Sequence, residues 1–313
     1  MAEIGISIDG FSPATAIADQ AKAAEDGGAT TLWIATHLYL RDPVALAATA
    51  LAATKRIKVA LMAMSPYSIH PVYAAMAAAT LAELYPGRIV LSLGVGAPGD
   101  LKAAGIEAPK PLKTLEESIT ICRGLFAGEA VQYAGDVFRV SERRLEGAPC
   151  DVPIVLAASR PRMLELAGRH ADGAIISGAT SAPFVRWCCE QSGAETTAYG
   201  IVYTWLGGAG DPAVEQLRRT LGFILRGAHH AKNVEYAGVD LDQEALFAAY
   251  AAEDWSTVDS LVTDDVIDAH AAVGTADHVR RRLADYHSAG LDQVVLGGLT
   301  EPDDIRSTLS AIN

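Results

Sequence analysis

Apolar residues come in short runs separated by Ala-rich amphipathic stretches, and this alternation sets the expected architecture. Ile4–Ile8, Thr31–Ala35, Ile57–Met62, Ile89–Leu93, Pro153–Ala157, Gly173–Ser177, Tyr199–Trp205 and Gln293–Leu296 are runs of this kind. A short apolar run bounded by turn residues reads as a strand buried on both faces. Between them the pattern is helical: Pro13–Gly27, Pro43–Thr54, Pro71–Tyr85, Lys113–Ala127 and Pro161–His170, then segments opened by Pro183, Pro212, Thr275 and Pro302. Proline suits the first helical position, and Gly27-Gly28 is a natural stop. Eight strands, each followed by a helix, imply a parallel sheet; over 313 residues they predict a closed (β/α)8 TIM barrel. A doubly wound sheet would carry G-x-G-x-x-G after its first strand, and Ile8-Asp-Gly-Phe-Ser12 has none.

Two stretches break the rhythm. Residues 130–140 alternate around Ala134-Gly135-Asp136, which predicts a β-hairpin inserted near 128–150. Residues 230–272 are acidic and irregularly helical, a longer excursion than a connector requires. No Ser/Gly-rich linker or charge block divides the chain, so residues 1–313 are expected to form a single barrel.

Composition narrows the possible partners. A net charge of −13 argues against nucleic acid or an anionic membrane. The apolar runs are too short to span a bilayer. Met-Ala-Glu-Ile leads straight into a strand, so no signal peptide is expected. Cys122, Cys150, Cys188 and Cys189 form no C-x-x-C, and four reduced thiols in a cytoplasmic protein are expected.

In such barrels the chemistry sits at the C-terminal ends of the strands and in the loops that follow. The candidates are Ser7 and Asp9, Thr36, His37 and Tyr39, Met62, Ala63, Met64, Ser65 and Tyr67, Gly94, Gly96 and Asp100, Ala158, Ser159 and Arg160, Ser177 and Gly178 through Thr180, and Tyr203 with Trp205. Gly94-Val-Gly96 lets backbone approach a flat ligand, because no Cβ intervenes; the turn Pro98-Gly99-Asp100 then leaves a carboxylate at the rim. No lysine ends a strand, which disfavours Schiff-base chemistry, and the histidines lack metal-ligand spacing. In Ala157-Ala-Ser-Arg-Pro-Arg162 a strand meets a helix N-terminus with a hydroxyl and two arginines, an arrangement that favours a phosphate. The alternative there is a capping serine with solvated arginines. His37, at a strand end, is either structural or an acid/base group.

Several segments resemble one family. They are Leu32-Trp-Ile-Ala-Thr-His37, Ser65-Pro-Tyr-Ser-Ile-His-Pro71, Gly94-Val-Gly-Ala-Pro-Gly-Asp100, the stretch from Val152 to Ala167 with Ala171-Asp-Gly173, Val273-Gly-Thr-Ala-Asp-His-Val-Arg280 and Ala289-Gly-Leu-Asp-Gln-Val-Val-Leu296. In order and spacing the chain is similar to the bacterial luciferase-like superfamily of flavin- and deazaflavin-dependent oxidoreductases. Its nearest likeness is the methylenetetrahydromethanopterin reductase branch, which uses the deazaflavin coenzyme F420.

The resemblance implies a ring packed against Met62 to Ser65 and near Gly94 and Gly96. It implies a phosphate at Ala158 to Arg162, with Ser177 and Gly178 also on the cofactor side, and no metal. His37, with Asp100, would move a proton, while Ser7, Tyr39, Tyr67, Tyr203 and Trp205 would face a small-molecule substrate. It also implies a non-prolyl cis peptide between Met62 and Ala63. The chain departs from the reductases in carrying Ser7, Thr36 and Ser159 where they carry glutamate, aspartate and glutamine. The resemblance therefore carries over the cofactor site and hydride chemistry, and leaves the substrate open, a methylene-tetrahydropterin-like compound among the candidates. An FMN-dependent monooxygenase supplied by a separate flavin reductase, and a non-catalytic flavin-binding barrel, are the competing readings. Ala-rich helical faces together with the resemblance predict a homodimer or higher homo-oligomer.

Overall fold

In the computed structural model, which describes residues 3–208 and 210–313, the apolar runs become strands that close on themselves. Met1 and Ala2, the start of the N-terminal segment discussed above, lie outside the described residues. The chain runs β1 (Glu3–Ile8), α1 (Ile17–Asp26), β2 (Thr31–Ala35), α2 (Pro43–Ala53), β3 (Lys58–Met64), α3 (Pro71–Leu84), β4 (Ile89–Leu93), α4 (Pro98–Ala103) and α5 (Pro111–Phe126). A hairpin, β5 (Val131–Ala134) and β6 (Arg139–Arg143), precedes β7 (Ile154–Ala157), α6 (Pro161–His170), β8 (Gly173–Ile176), α7 (Ala182–Ser192) and β9 (Thr197–Leu206). Then come α8 (Pro212–Leu225), α9 (Ala231–Ala237), α10 (Gln243–Ala251), α11 (Trp255–Leu261), α12 (Asp264–His270), β10 (Ala271–Gly274), α13 (Ala276–Ser288), β11 (Gln293–Gly297) and α14 (Pro302–Ile312).

Parallel pairing runs β9-β11-β1-β2-β3-β4-β7-β8, and β8 pairs back to β9, closing an eight-stranded barrel. The expected (β/α)8 architecture is therefore present. The strands divide the apolar side chains between two layers. Trp33, Ala60, Met62, Val90, Val155, Ile175 and Val295 fill the lumen, while Ile34, Leu61, Leu91 and Leu156 pack outward under the helices. Gly5 leaves room in the lumen for the buried Trp33–Gln293 hydrogen bond of 2.8 Å, because a Cβ there would lie 2.7 Å from the Gln293 oxygen.

Three elements differ from the sequence reading. Pro98-Gly99-Asp100 opens the short helix α4 instead of forming a turn. Ala271–Gly274, expected at the end of the helical stretch, is the strand β10 because β9 continues beyond β8 and offers Tyr203–Leu206 as a free edge on that side. The excursion also starts earlier than residue 230. α13 packs against α7 and α14 and so takes the barrel's helix position after β9, while α8 packs with α10, α11 and α12. That group has its own apolar core, including Leu217, Leu221, Leu225, Leu246, Val258 and Ile267.

The hairpin is fastened by one buried carboxylate. Glu117, on α5, accepts the N–H groups of Asp136, Val137 and Phe138 at 2.8, 3.1 and 2.9 Å. Gly135 permits that approach, since a Cβ would lie 2.3 Å from a Glu117 oxygen. Burial alone would raise the Glu117 pKa; the three N–H donors, with the nearby Lys113 charge, outweigh it and hold the group below its ordinary value.

No helix among the described residues is long and apolar enough to cross a membrane. The four cysteines are free thiols; burial pushes Cys122 up to about 12, so it is an inert core residue.

Candidate active site

At the C-terminal ends of β2, β3 and β4 the loops enclose a cavity of about 210 Å³. Its walls include Thr36, His37, Tyr39, Ser65, Ile69 and Asp100. α4 makes this arrangement: Pro98 starts the helix, Asp100 falls in its first turn, and Leu101 is buried beneath. Asp100 Oδ2 thereby stands 3.5 Å from His37 Nδ1, both side chains partly exposed. The carboxylate expected to be free at the rim is thus engaged by the histidine. Larger grooves of about 670 and 610 Å³ lie around Arg123. The first flanks the start of β7 and the second the approach to β8, and they contain none of the candidate residues, so they belong to the opposite end of the barrel.

Beside the cavity lies a floor of small residues. The pairing of β3 with β4 shifts between Leu61 and Met64, and the Met62–Ala63 peptide is cis. Met62 and Ala63 face the lumen cluster, whereas Met64 is fully buried among the helix-facing residues. The Met64 side chain is therefore not at the mouth; its carbonyl accepts Gly94 N–H at 3.2 Å. A Cβ on Gly94 would come within 2.9 Å of Ala63 Cβ and 3.1 Å of Ala157 Cβ, so these three positions meet only because one is glycine. Ser65 is nearly buried and donates to Val95 O at 3.0 Å, and Gly96 packs over its hydroxyl at φ +84°. Ser65 thus ties the β3 and β4 loops together.

Several candidates are turned elsewhere. Ala158 is buried on the helix side, so it offers backbone alone. Ser159 does not cap α6: Arg160 holds that position, no side chain caps it, and the Met163 and Leu164 N–H groups bond the Arg160 carbonyl. Arg160 is exposed. The Tyr67 hydroxyl donates to Pro109 O at 2.6 Å, and Trp205 Nε1 donates to Asp211 Oδ2 at 3.0 Å at the start of α8. Neither lines the cavity, since each polar tip is spent on a neighbouring loop. Tyr39 is 71% exposed, with φ +68°. Ser7 lies on β1 opposite Trp33, on the same face as Gly5. Tyr203 lies against Gly178, 3.1 Å from where a Cβ would be; burial, then Asp9, raises its pKa to about 12.

The residues fit a flat, largely neutral ring. The hydroxyls of Thr36, Ser92 and Ser177 are buried without a hydrogen-bond partner, and buried polar atoms in that state are uncommon. Ser92 escaped the sequence reading, although a serine inside Ile89-Val-Leu-Ser-Leu93 is the signal that could have found it.

A closed parallel barrel with a His–Asp pair and a small-residue floor at its C-terminal mouth has the form of a (β/α)8 enzyme. A sequence model of the luciferase-like monooxygenase family matches residues 3–293, and the chain belongs to that family. It is 31% identical over 301 residues to a 5,10-methylenetetrahydromethanopterin reductase of Archaeoglobus fulgidus, covering 91% of this chain and 90% of that one. Among solved structures it resembles the coenzyme F420 dependent tetrahydromethanopterin reductase of Methanopyrus kandleri, with TM-score 0.86, 24% identity and 99% and 97% of the two chains covered. It also resembles the oxygenating constituent of 3,6-diketocamphane monooxygenase of Pseudomonas putida in complex with FMN, with TM-score 0.73, 17% identity and coverage of 100% and 96%.

Proposed function

We propose that this protein is an oxidoreductase that uses the deazaflavin F420 and transfers a hydride to or from a small organic substrate at the barrel mouth. The observation that carries this reading is the His37–Asp100 pair standing beside the Gly94–Ala63–Ala157 floor. The reductase relative, matched over nine-tenths of both chains, supports the deazaflavin in particular. When bound, the cofactor supplies the two-electron chemistry. The protein's part is to seat the ring on the floor, exclude water and move one proton. With Nδ1 turned to Asp100, Nε2 of His37 is the nitrogen free to exchange a proton with substrate. Ser7 and Thr36 are neutral, so neither of those two positions supplies a charged acid/base group. The FMN monooxygenase reading is supported by the family's description and by the FMN-bound neighbour. Titration of the purified protein with F420 and with FMN, followed by fluorescence, separates the two. Tight F420 uptake is expected, and uptake of FMN alone would overturn the deazaflavin reading.

Arg160 and Ser159 are proposed to hold the cofactor phosphate. Arg160→Ala then weakens cofactor binding by about 1–3 kcal/mol, the range for a charge-assisted contact. Equal affinity of variant and wild type for both cofactors would sink the assignment.

Assembly follows from the outer faces of two helices. α2 contains no charged residue, and α3 exposes Tyr73, Met76 and Leu84. Large apolar side chains gathered on an exposed helix face are ordinarily covered, although Thr49 of α2 and Thr80 and Glu83 of α3 also reach the surface. A homodimer or larger homo-oligomer is expected in sedimentation at micromolar concentration, and a stable species near 32.8 kDa would count against it.

A further inference from the structure

The loop from Ser177 to Ser181, between β8 and α7, lies beside Tyr203 at the barrel mouth, yet its fastenings come from outside the mouth. Asn233, on α9, is fully buried. Its Nδ2 donates to Ala179 O at 2.8 Å, and its Oδ1 accepts Ser181 N–H at 2.9 Å. Tyr286, on α13, donates its hydroxyl to Thr180 O at 2.7 Å. Ala179 has φ +56°, a left-handed conformation that a non-glycine residue keeps only where its surroundings hold it. Its methyl is buried in the apolar core of the excursion, not in that of the barrel. The Ser177 and Thr180 hydroxyls are left buried and unpartnered. The segment just before α9 also approaches the other candidate loop. His229 is held below its ordinary value by burial and then by the Arg160 charge.

We propose that Asn233 is a positioning residue for the cofactor. By holding Ala179 and Ser181 it fixes the loop that presents Ser177 and Gly178, and through it the helical excursion sets cofactor affinity. The proposal rests on the reading that a flavin-type cofactor sits at this loop. A side chain that bonds both a carbonyl and an N–H of one short loop defines that loop's shape more tightly than apolar packing does.

The test uses the full chain and two variants. Asn233→Ala removes both bonds; Asn233→Asp keeps the volume and the acceptor for Ser181 but sets a carboxylate against the Ala179 carbonyl. Hydrogen exchange is read without cofactor, and F420 binding by fluorescence titration. Both variants are expected to raise the F420 Kd about tenfold or more, the scale set by a lost buried hydrogen bond. Exchange should rise at residues 177–181 and stay unchanged in β4, and kcat at saturating F420 should stay within about twofold of wild type. Faster loop exchange with unchanged affinity would overturn the proposal, as would exchange rising equally in the loop and in β4. If Asn233→Ala does not fold, the same outcomes are read from Asn233→Asp. Wild-type protein that binds neither F420 nor FMN would instead remove the cofactor reading, and this inference with it.

Discussion

Replacing His37 with alanine is expected to lower kcat by about 10²- to 10⁴-fold while F420 still binds, the range for loss of a positioned acid/base group. The two readouts separate because His37 belongs to the cavity wall, whereas the small-residue floor is made by Gly94, Ala63 and Ala157. Asp100 acts on the reaction through His37 in this scheme, so Asp100→Asn should give a smaller loss in the same direction. The His37–Asp100 separation of 3.5 Å is long for a hydrogen bond, and catalytic contacts commonly shorten when ligands bind. A fully active His37→Ala protein would return the residue to a structural role.

Loss of Glu117 should have the largest effect on stability. Glu117→Ala leaves three hairpin N–H groups without their acceptor, at about 1–3 kcal/mol for each that water does not reach. Because the folded-state pKa is depressed, the latch contributes fully above the ordinary carboxylate range and is lost as pH falls through the folded value. Wild-type protein should therefore lose resistance to urea on acidification below about pH 4, and Glu117→Ala should show a flatter dependence there. Urea midpoints that fall in parallel for the two proteins would show that other carboxylates dominate. Exchange at Asp136 to Phe138 should be fast in the variant at every pH.

The barrel was readable because parallel strands covered on both faces appear as uninterrupted apolar runs, and all eight runs became barrel strands. What escaped depended on neighbours distant in sequence. Ala271-Ala-Val-Gly274 has no strand pattern of its own and pairs only because β9 is ten residues long. Met62 and Met64 should share a face by simple alternation, but the shifted pairing in β3 sends one to the lumen and the other to the helices. Tyr67 and Trp205 stand at strand ends in sequence, yet Pro109 and Asp211 claim their polar tips. His37 and Asp100 are paired in the sequence by the resemblance alone; their contact depends on α4, which the Pro-Gly-Asp pattern disguised as a turn. Asn233 carried no signal, since an asparagine in an irregular acidic helix looks like solvent-facing surface.

The added strand β10 has a consequence for how such a protein can diversify. Gly274 is the register partner of Leu206, and Gly207 N–H bonds Gly274 O at 3.2 Å, so the chain leaves the barrel and returns to it at one place. Neighbouring strands lie only about 4.8 Å apart. Everything between those two glycines is thus a cassette whose ends already meet, and its length can change without moving a barrel strand. The change is not silent, because Asn233 travels with the cassette. Swapping that piece alters the grip on residues 177–181, so a changed excursion would carry a changed cofactor affinity with it.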